Sequence, residues 1–113
     1  MTKGKGSDKL YASRLDLSDK VRSEMTQLLN ESLASTLDLW TQIKQAHWNV
    51  KGLNFFSLHE LFDKLAGQLV EDIDMIAERA TALGGVAKGT ARQAAAGSRL
   101  PELPVDAITC PQH

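Results

Sequence analysis

Two long stretches with apolar residues at steps of three and four dominate this sequence and restrict it to a helical fold. The first stretch follows Ser18, whose side chain suits a helix N-cap, and Asp19, whose charge suits the first turn. It runs to about Val50 and ends at Gly52, a residue typical of helix C-termini. The pattern predicts a helix of roughly 32 residues, about 48 Å long. Its apolar face consists of Val21, Met25, Leu28, Leu29, Leu33, Leu37, Trp40 and Ile43.

The second stretch starts a few residues later, and two starting points fit it. Asn54 can cap the helix, and so can Ser57, which opens the capping-box sequence Ser57-Leu58-His59-Glu60. The pattern ends at Gly84-Gly85. Because the link between the two helices is so short, we expect them to lie antiparallel as a hairpin. The apolar face of the second helix consists of Leu58, Leu61, Phe62, Leu65, Leu69, Ile73, Ile76, Ala80 and Leu83.

The rest of the chain adds little to a core. Its 113 residues suffice for one domain, which we place at residues 15–113. Residues 86–113 have room for one or two helical turns at 91–96, and three prolines prevent a longer helix, so we interpret this part as an ordered connection. A hairpin of two amphipathic helices leaves apolar surface uncovered. We therefore expect that the chain oligomerises through this surface or that more chain once followed His113.

Composition and charge exclude several classes of protein. With 42% apolar residues, 24% charged residues and a net charge of −1, the chain is neither a disordered segment nor a bulk electrostatic binder of nucleic acid. No stretch approaches the roughly 18 apolar residues of a membrane span, and the N-terminus lacks the apolar core of a secretory signal. Cys110 is the single cysteine, which excludes an internal disulfide and favours a reducing cytosol.

The N-terminal residues differ in kind from the helical part. Two glycines and a serine within the first seven residues favour a flexible segment. We predict that residues 1–14 form a flexible basic tail, and a plain solvated terminus is the alternative. The bases of the first nine residues are Lys3, Lys5 and Lys9, against one acid, Asp8.

Acidic residues are concentrated in the second predicted helix, where residues 57–78 hold six acids and one base. A charge run usually marks a solvated face, so the position around the helix decides its meaning. At about 100° per residue, with His59 set to zero, most of the apolar residues fall between about 200° and 320°. Four potential metal ligands instead share one stripe between 0° and about 100°, namely His59, Asp63, Asp74 and Glu78.

These four donors cannot meet within one chain. His59 lies one turn from Asp63, and Asp74 one turn from Glu78, but about 16 Å of helix separates the two pairs. Both pairs are, however, placed symmetrically about a point between residues 68 and 69. Two copies crossing antiparallel at that point would form two identical four-donor sites about a two-fold axis. Gly67 lies in the same stripe near the crossing point, where the missing side chain allows a close approach.

His47 can complete such a site, because it ends the first helix beside the short turn. Imidazole and carboxylate together suit iron, manganese or zinc rather than a soft thiolate-bound metal. The alternative is that His59 and Asp63 form an ordinary surface pair. Trp48, which follows His47, is expected to be a packing residue, and the alternative is that it lies against the metal site. The C-terminal Cys110-Pro111-Gln112-His113 resembles half a zinc site and has no second half.

Three segments resemble a known family: Gln45-Ala46-His47-Trp48-Asn49-Val50-Lys51-Gly52-Leu53-Asn54-Phe55, then His59-Glu60-x-x-Asp63, then Asp74-x-x-Ala77-Glu78-Arg79-Ala80-x-x-Leu83-Gly84-Gly85. The resemblance is to the Dps family, the DNA-binding proteins from starved cells or mini-ferritins, over roughly residues 18–110. It implies an all-α, ferritin-like four-helix bundle, of which this chain holds the first antiparallel helix pair and the mid-bundle connection. It also implies assembly into a hollow homododecamer.

The same resemblance implies a ferroxidase, an enzyme that oxidises Fe(II), typically with hydrogen peroxide, stores the ferric iron and protects DNA from oxidative damage. It further implies DNA binding and condensation through the tail lysines, in a cytoplasmic, nucleoid-associated stress protein. True ferritins place the site inside one bundle with a Glu-x-x-His motif, which is absent here. The iron ligands implied by position are His47, His59 and Asp63 from one subunit and Asp74 and Glu78 from its two-fold mate.

One departure from the family concerns length. The family's chain continues with two more long helices, whereas this sequence stops where the third would begin, so we expect a truncated form. Two alternatives to the ferroxidase follow. The first is a DNA-compacting structural protein whose metal site is secondary. The second is a fragment that does not fold and whose ligands are idle.

Overall fold

A computed structural model describes residues 9–104, and every regular element in this part of the chain is a helix. Helix α1 spans Asp19–Asn49, α2 spans Phe55–Ala82 and α3 spans Ala91–Gly97. The all-α fold class predicted from the sequence is confirmed for these residues. None of the three helices is long and apolar enough to cross a membrane.

The ends of α1 follow the local sequence signals. The Ser18 hydroxyl accepts a hydrogen bond from the Val21 N–H at 3.2 Å, as an N-cap should. At the other end the Val50 N–H donates to the Ala46 carbonyl, and the chain then turns at Gly52, which has a φ of 110°. Glycine adopts this left-handed conformation without strain. The predicted bounds of the first helix are therefore confirmed to within a residue.

The start of α2 decides between the two predicted caps. The helix begins at Phe55 and Asn54 occupies the N-cap position, although its side chain makes no capping hydrogen bond. Ser57 lies inside the first turn of the helix. The capping-box sequence therefore does not mark the helix start.

Contacts at both ends of α1 and α2 establish that the two helices run antiparallel. At the turn end, the His47 and His59 rings lie against each other. At the open end, the Arg22 side chain, near the start of α1, contacts the Leu83 carbonyl just after α2. The predicted hairpin is confirmed, and α3 packs against α1.

Small residues form most of the hairpin core. Among residues 9–104, five of the eight buried apolar residues are alanines, and the buried residues of α2 are Ala66 and Ala80. Alanine at a helix contact lets two backbones approach closely. Several larger apolar residues of α2 remain 43–59% exposed, namely Leu61, Leu65, Val70 and Met75. The hairpin thus leaves a substantial apolar surface open, as the sequence predicts.

A buried arginine closes the open end of the hairpin. Arg22 is 7% exposed, and its Nη1 donates to the carbonyls of Leu83 at 2.7 Å and Tyr11 at 2.8 Å. Its Nη2 donates to Asp19 Oδ1 at 2.8 Å. Leu83 is the C-cap residue of α2, so the guanidinium satisfies a carbonyl at the negative end of the helix dipole.

The chain before α1 is attached to this same end. The Tyr11 N–H donates to the Gly84 carbonyl at 2.6 Å, and the Ser13 hydroxyl donates to the Ala82 carbonyl at 3.0 Å. Gly84 has a φ of 89°, and a Cβ there would collide with the Tyr11 carbonyl. Within the predicted tail of residues 1–14, Tyr11 and Ser13 are thus hydrogen-bonded to the end of the hairpin, and the flexibility of the tail stays a prediction.

The connection after α2 is ordered over residues 86–104, the described part of the predicted connection 86–113. Thr90 and Gln93 form a reciprocal capping box that starts α3, within the stretch predicted to hold one or two turns. The Ser98 hydroxyl donates to Asp38 Oδ2 at 2.7 Å, and the Gln42 side chain bonds the main chain at Pro101 and Leu103. Residues 98–103 are thereby held against the middle of α1. The C-terminal stretch 110–113, which resembles half a zinc site, lies outside the described residues.

We predict that Arg22→Met lowers the free energy of unfolding by about 2 kcal/mol, because two partly or fully buried carbonyls lose a charged donor. Urea denaturation followed by circular dichroism measures the change. Arg92→Met, which removes an exposed arginine from α3, serves as the control and should have little effect. An unchanged urea midpoint in Arg22→Met would contradict the role assigned to this side chain.

Candidate metal centre

The turn between α1 and α2 brings two histidines into contact. His47 lies in the last turn of α1, and His59 lies one turn inside α2. Their ring centroids are 3.7 Å apart and the ring planes differ by 20°. The short turn therefore places both imidazoles at one position on the hairpin, as required for them to bind the same metal ion.

Two reciprocal hydrogen bonds fix the orientation of these rings. Nδ1 of His47 lies 2.6 Å from the carbonyl oxygen of His59, and Nδ1 of His59 lies 2.8 Å from the carbonyl oxygen of His47. A carbonyl oxygen can only accept, so each Nδ1 carries the proton and donates it. In the neutral rings, each Nε2 then carries a lone pair. Histidine ligands are commonly fixed in this way for metal binding through Nε2.

The contact also satisfies a helix end. The carbonyl of His47 is one of the last four of α1, which have no partner within an ideal helix. The His59 ring supplies the missing donor. One interaction thus closes the turn and selects the tautomer. The same contact therefore serves both the structural and the chemical role of the two histidines.

Asp63 lies next to this pair on the following turn of α2. Its Oδ1 is 3.9 Å from Nε2 of His47 and 3.2 Å from Nζ of Lys44. The Asp63 side chain is 61% exposed, whereas that of His47 is 12% exposed. The carboxylate therefore adjoins the lone-pair side of His47, and the ammonium group of Lys44 now neutralises it.

Asp74 and Glu78 lie further along α2, where neither side chain is buried. Within residues 9–104, no three His, Cys, Asp or Glu side chains are close enough together to hold a metal ion. One chain therefore brings His47, His59 and Asp63 to the same end of the hairpin without assembling a complete ligand set. The two-copy site remains a prediction.

Two residues of this region were missed by sequence reasoning. Lys44 lies three residues before His47, and Phe55 lies four residues before His59. Helical spacing alone places each of them beside a proposed ligand, and this was the available signal. Phe55 stacks on the His59 ring with a centroid distance of 5.1 Å.

Trp48 differs from the expectation that it packs. Its side chain is 67% exposed in the single chain, and its ring lies 5.7 Å from Lys44 Nζ. This distance fits a cation–π contact, which is weak at an exposed position.

Comparisons with known proteins identify the family and the fold of the chain. Residues 26–112 match the ferritin-like domain family. Over 105 residues the chain is 40% identical to the DNA protection during starvation protein of Agrobacterium fabrum. It superimposes on DpsC from Streptomyces coelicolor with a TM-score of 0.81 and 38% sequence identity, and on Mycobacterium smegmatis Dps with a TM-score of 0.81 and 33% identity. The chain is a member of the Dps family of ferritin-like proteins.

These matches cover most of this chain but a smaller share of each relative. The Agrobacterium match covers 93% of this Dps-family chain and 65% of the relative. The superpositions cover 85% of the chain and 56% of DpsC, and 87% of the chain and 59% of the Mycobacterium protein. The chain thus spans between about half and two thirds of the length of these relatives, and the family and ferritin-like fold predicted from its sequence are confirmed.

We predict that Lys44→Met in this Dps-family chain tightens the binding of Co(II), a metal probe that is stable in air, by about two- to fivefold. The reason is that the ammonium group competes for an exposed carboxylate, and such pairs contribute about 0.2–1 kcal/mol. Isothermal titration calorimetry measures the affinity. Lys20→Met, at the far end of α1, removes the same charge and should leave it unchanged. Weaker Co(II) binding in Lys44→Met would contradict the competition.

Proposed function

We propose that this Dps-family chain is a ferroxidase subunit, which binds Fe(II) between two copies of itself and oxidises it with hydrogen peroxide. The observation that carries the proposal is the reciprocal hydrogen bonding of His47 and His59, which leaves both Nε2 atoms free to bind a cation. In the whole assembly the ferric product would be stored, and the removal of Fe(II) together with peroxide would protect DNA.

The chemistry of the donors supports iron as the substrate. In the proposed site, one subunit would supply two imidazoles and one oxygen ligand, namely Nε2 of His47, Nε2 of His59 and the carboxylate of Asp63. Imidazole binds Fe(II) and other first-row metals well, and carboxylates stabilise the ferric product. Asp74 and Glu78 of the mate would add two negative charges, and three ligands from one side leave positions open for the oxidant.

The proposal of a two-fold mate rests on the open edge of α2. None of Asp63, Gly67, Asp74 and Glu78 is buried in the single chain. A Cβ built at Gly67 would meet no atom within 4 Å, so packing within the chain does not require glycine there. Glycine in a helix interior costs about 1 kcal/mol relative to alanine. A second copy crossing at this point would account for that cost.

The open apolar surface supports assembly as well. Leu61 and Leu65 are 46% and 43% exposed on α2, and Leu28 is 65% exposed on α1. Exposed apolar surface of this extent favours association with another chain or with further chain. We propose a homo-oligomer, with the homododecamer of the family as its complete form.

The proposed reaction balances with iron and peroxide alone. Two Fe(II) ions each give up one electron, and these two electrons break the O–O bond of one peroxide molecule. Two protons are taken up and two water molecules leave. If both Fe(II) ions were held at the same shared site, both electrons would reach one peroxide molecule, and the single-electron product, a hydroxyl radical, would not be released.

We predict that Asp74→Asn and Glu78→Gln each slow Fe(II) oxidation by peroxide at least about tenfold, because each removes a charged ligand from the shared site. Stopped-flow absorbance of the ferric product, after anaerobic loading with Fe(II), measures the rate. Both replacements keep side-chain size and leave the α1–α2 contact unchanged.

Asp72→Asn is the matched control for these variants. Asp72 lies on the same helix, but at about 220° from the direction of His59, outside the ligand stripe. It should oxidise Fe(II) at the parental rate. Parental rates in both Asp74→Asn and Glu78→Gln would refute the assignment of the mate's ligands.

A second candidate function, DNA binding, is favoured by the similarity to the Agrobacterium protein, whose name describes DNA protection. Lys3, Lys5 and Lys9 would contact phosphates in a multivalent assembly, and the protein would be cytoplasmic and nucleoid-associated. Lys9 is exposed, whereas the two other lysines lie outside the described residues. Attachment of residues 11–13 to the end of α2 would fix where the tail leaves the hairpin.

We predict that replacing all three tail lysines with glutamine weakens DNA binding and lowers its salt dependence. The logarithmic slope should fall by about 0.9 for each phosphate that the tail no longer neutralises. Gel-shift titrations at two salt concentrations measure both quantities. Fe(II) oxidation should remain at the parental rate. Unchanged DNA affinity at both salt concentrations would remove the tail from the DNA interface.

A further inference from the structure

The imidazole of His59 stacks with two rings, one from each helix of the hairpin. The His47 ring of α1 lies 3.7 Å away at 20°, and the Phe55 ring of α2 lies 5.1 Å away at 23°. The Phe55 distance is within the range of about 4.5–7 Å that is usual for aromatic pairs. The ring of His59 is therefore held by aromatic faces as well as by its Nδ1 hydrogen bond.

The Phe55 ring contacts the His59 ring because of helical spacing. The two residues are four apart, which places their side chains on the same side of α2, one turn from each other. Phe55 has no polar atom, so it cannot bind a cation or move a proton. Its contact is with the ring plane, and the angle of that plane decides whether Nδ1 points at the His47 carbonyl.

Rotation of the His59 ring would disrupt the arrangement in which Nδ1 donates to the main chain and Nε2 keeps its lone pair for a metal. The terminal torsion of histidine is broad and nearly two-fold, so the unsupported ring samples several orientations. A rotated ring loses the directional bond from Nδ1 to the carbonyl, and the proton can then reside on either nitrogen. A proton on Nε2 removes the lone pair that a metal needs.

We infer that Phe55 is a positioning residue, which keeps the His59 ring in the plane where Nδ1 donates to the main chain and Nε2 is free for metal. The inference rests on the proposed function for its consequence in iron binding, but the orientation and tautomer of His59 belong to the metal-free chain. Phe55 acts only through His59.

The test compares Phe55→Leu, which keeps an apolar side chain without a ring, with Phe55→Tyr, which keeps the ring. In the full chain labelled with ¹⁵N-histidine, two-bond nitrogen–proton correlation spectra report the tautomer of each imidazole in the absence of metal. Phe55→Leu should show a mixture of His59 tautomers, whereas the parent and Phe55→Tyr should show the Nδ1–H form alone.

Co(II) affinity provides the second measurement. Phe55→Leu should bind Co(II) about tenfold more weakly, the scale of effect for residues that orient a metal ligand, and Phe55→Tyr should restore the parental affinity. The matched control is Phe56→Leu, the next residue along, whose side chain is 71% exposed. It should leave the His59 tautomer unchanged. Circular dichroism confirms that each variant is folded.

Two results would overturn the inference. One is a single Nδ1–H tautomer in Phe55→Leu, which would show that the hydrogen bond needs no stacked ring. The other is an equal loss in Phe56→Leu, which would make the effect a general one at the start of α2. Failure of the proposed function is distinguishable, because it would appear as absent Fe(II) oxidation in the parent while the tautomer result stands.

Discussion

The reciprocal hydrogen bonds between His47 and His59 are the interaction on which the hairpin and its proposed chemistry both depend. Each ring donates to the other residue's carbonyl, so a single contact fixes the turn, occupies a carbonyl at the end of α1 and leaves two Nε2 lone pairs. Arg22 performs the equivalent structural task at the open end, where it occupies the carbonyl at the end of α2. The hairpin is closed at both ends by side-chain donors, and one of the two closures also prepares a ligand.

The division of the proposed ligand set follows from helix geometry. A straight helix cannot bring its two ligand pairs, His59–Asp63 and Asp74–Glu78, to one ion. The structure places Asp63 near the histidines, while Asp74 and Glu78 remain unburied further along α2. The small residues at the α1–α2 contact act in the same direction, because they leave the larger side chains Leu61 and Leu65 on an open surface. A surface that is both apolar and lined with carboxylates suits a second copy and a cation together.

The helices could be predicted from the sequence because their signals are local. Contacts between residues far apart in the chain could not be predicted. Ser18 and Gly52 define α1 because capping depends on neighbouring residues. The attachment of residues 11–13 was missed, since nothing local shows that Arg22 is buried and donates to the Tyr11 carbonyl. The histidine tautomers were missed for the same reason, whereas the spacing of His59 and Asp63 already identified the stripe. The contribution of Asp74 and Glu78 requires a second chain, so it stays a prediction.

Mixing two slow variants tests most directly whether the site is shared between two copies. His59→Gln removes a ligand from one half of the proposed site and Glu78→Gln removes one from the other half, so each variant alone should oxidise Fe(II) at no more than about a tenth of the parental rate. When equal amounts are refolded together, half of the dimers are mixed and each of these regains one intact site. A shared site predicts recovery of about a quarter of the parental oxidation. A mixture no more active than its separate components would contradict it.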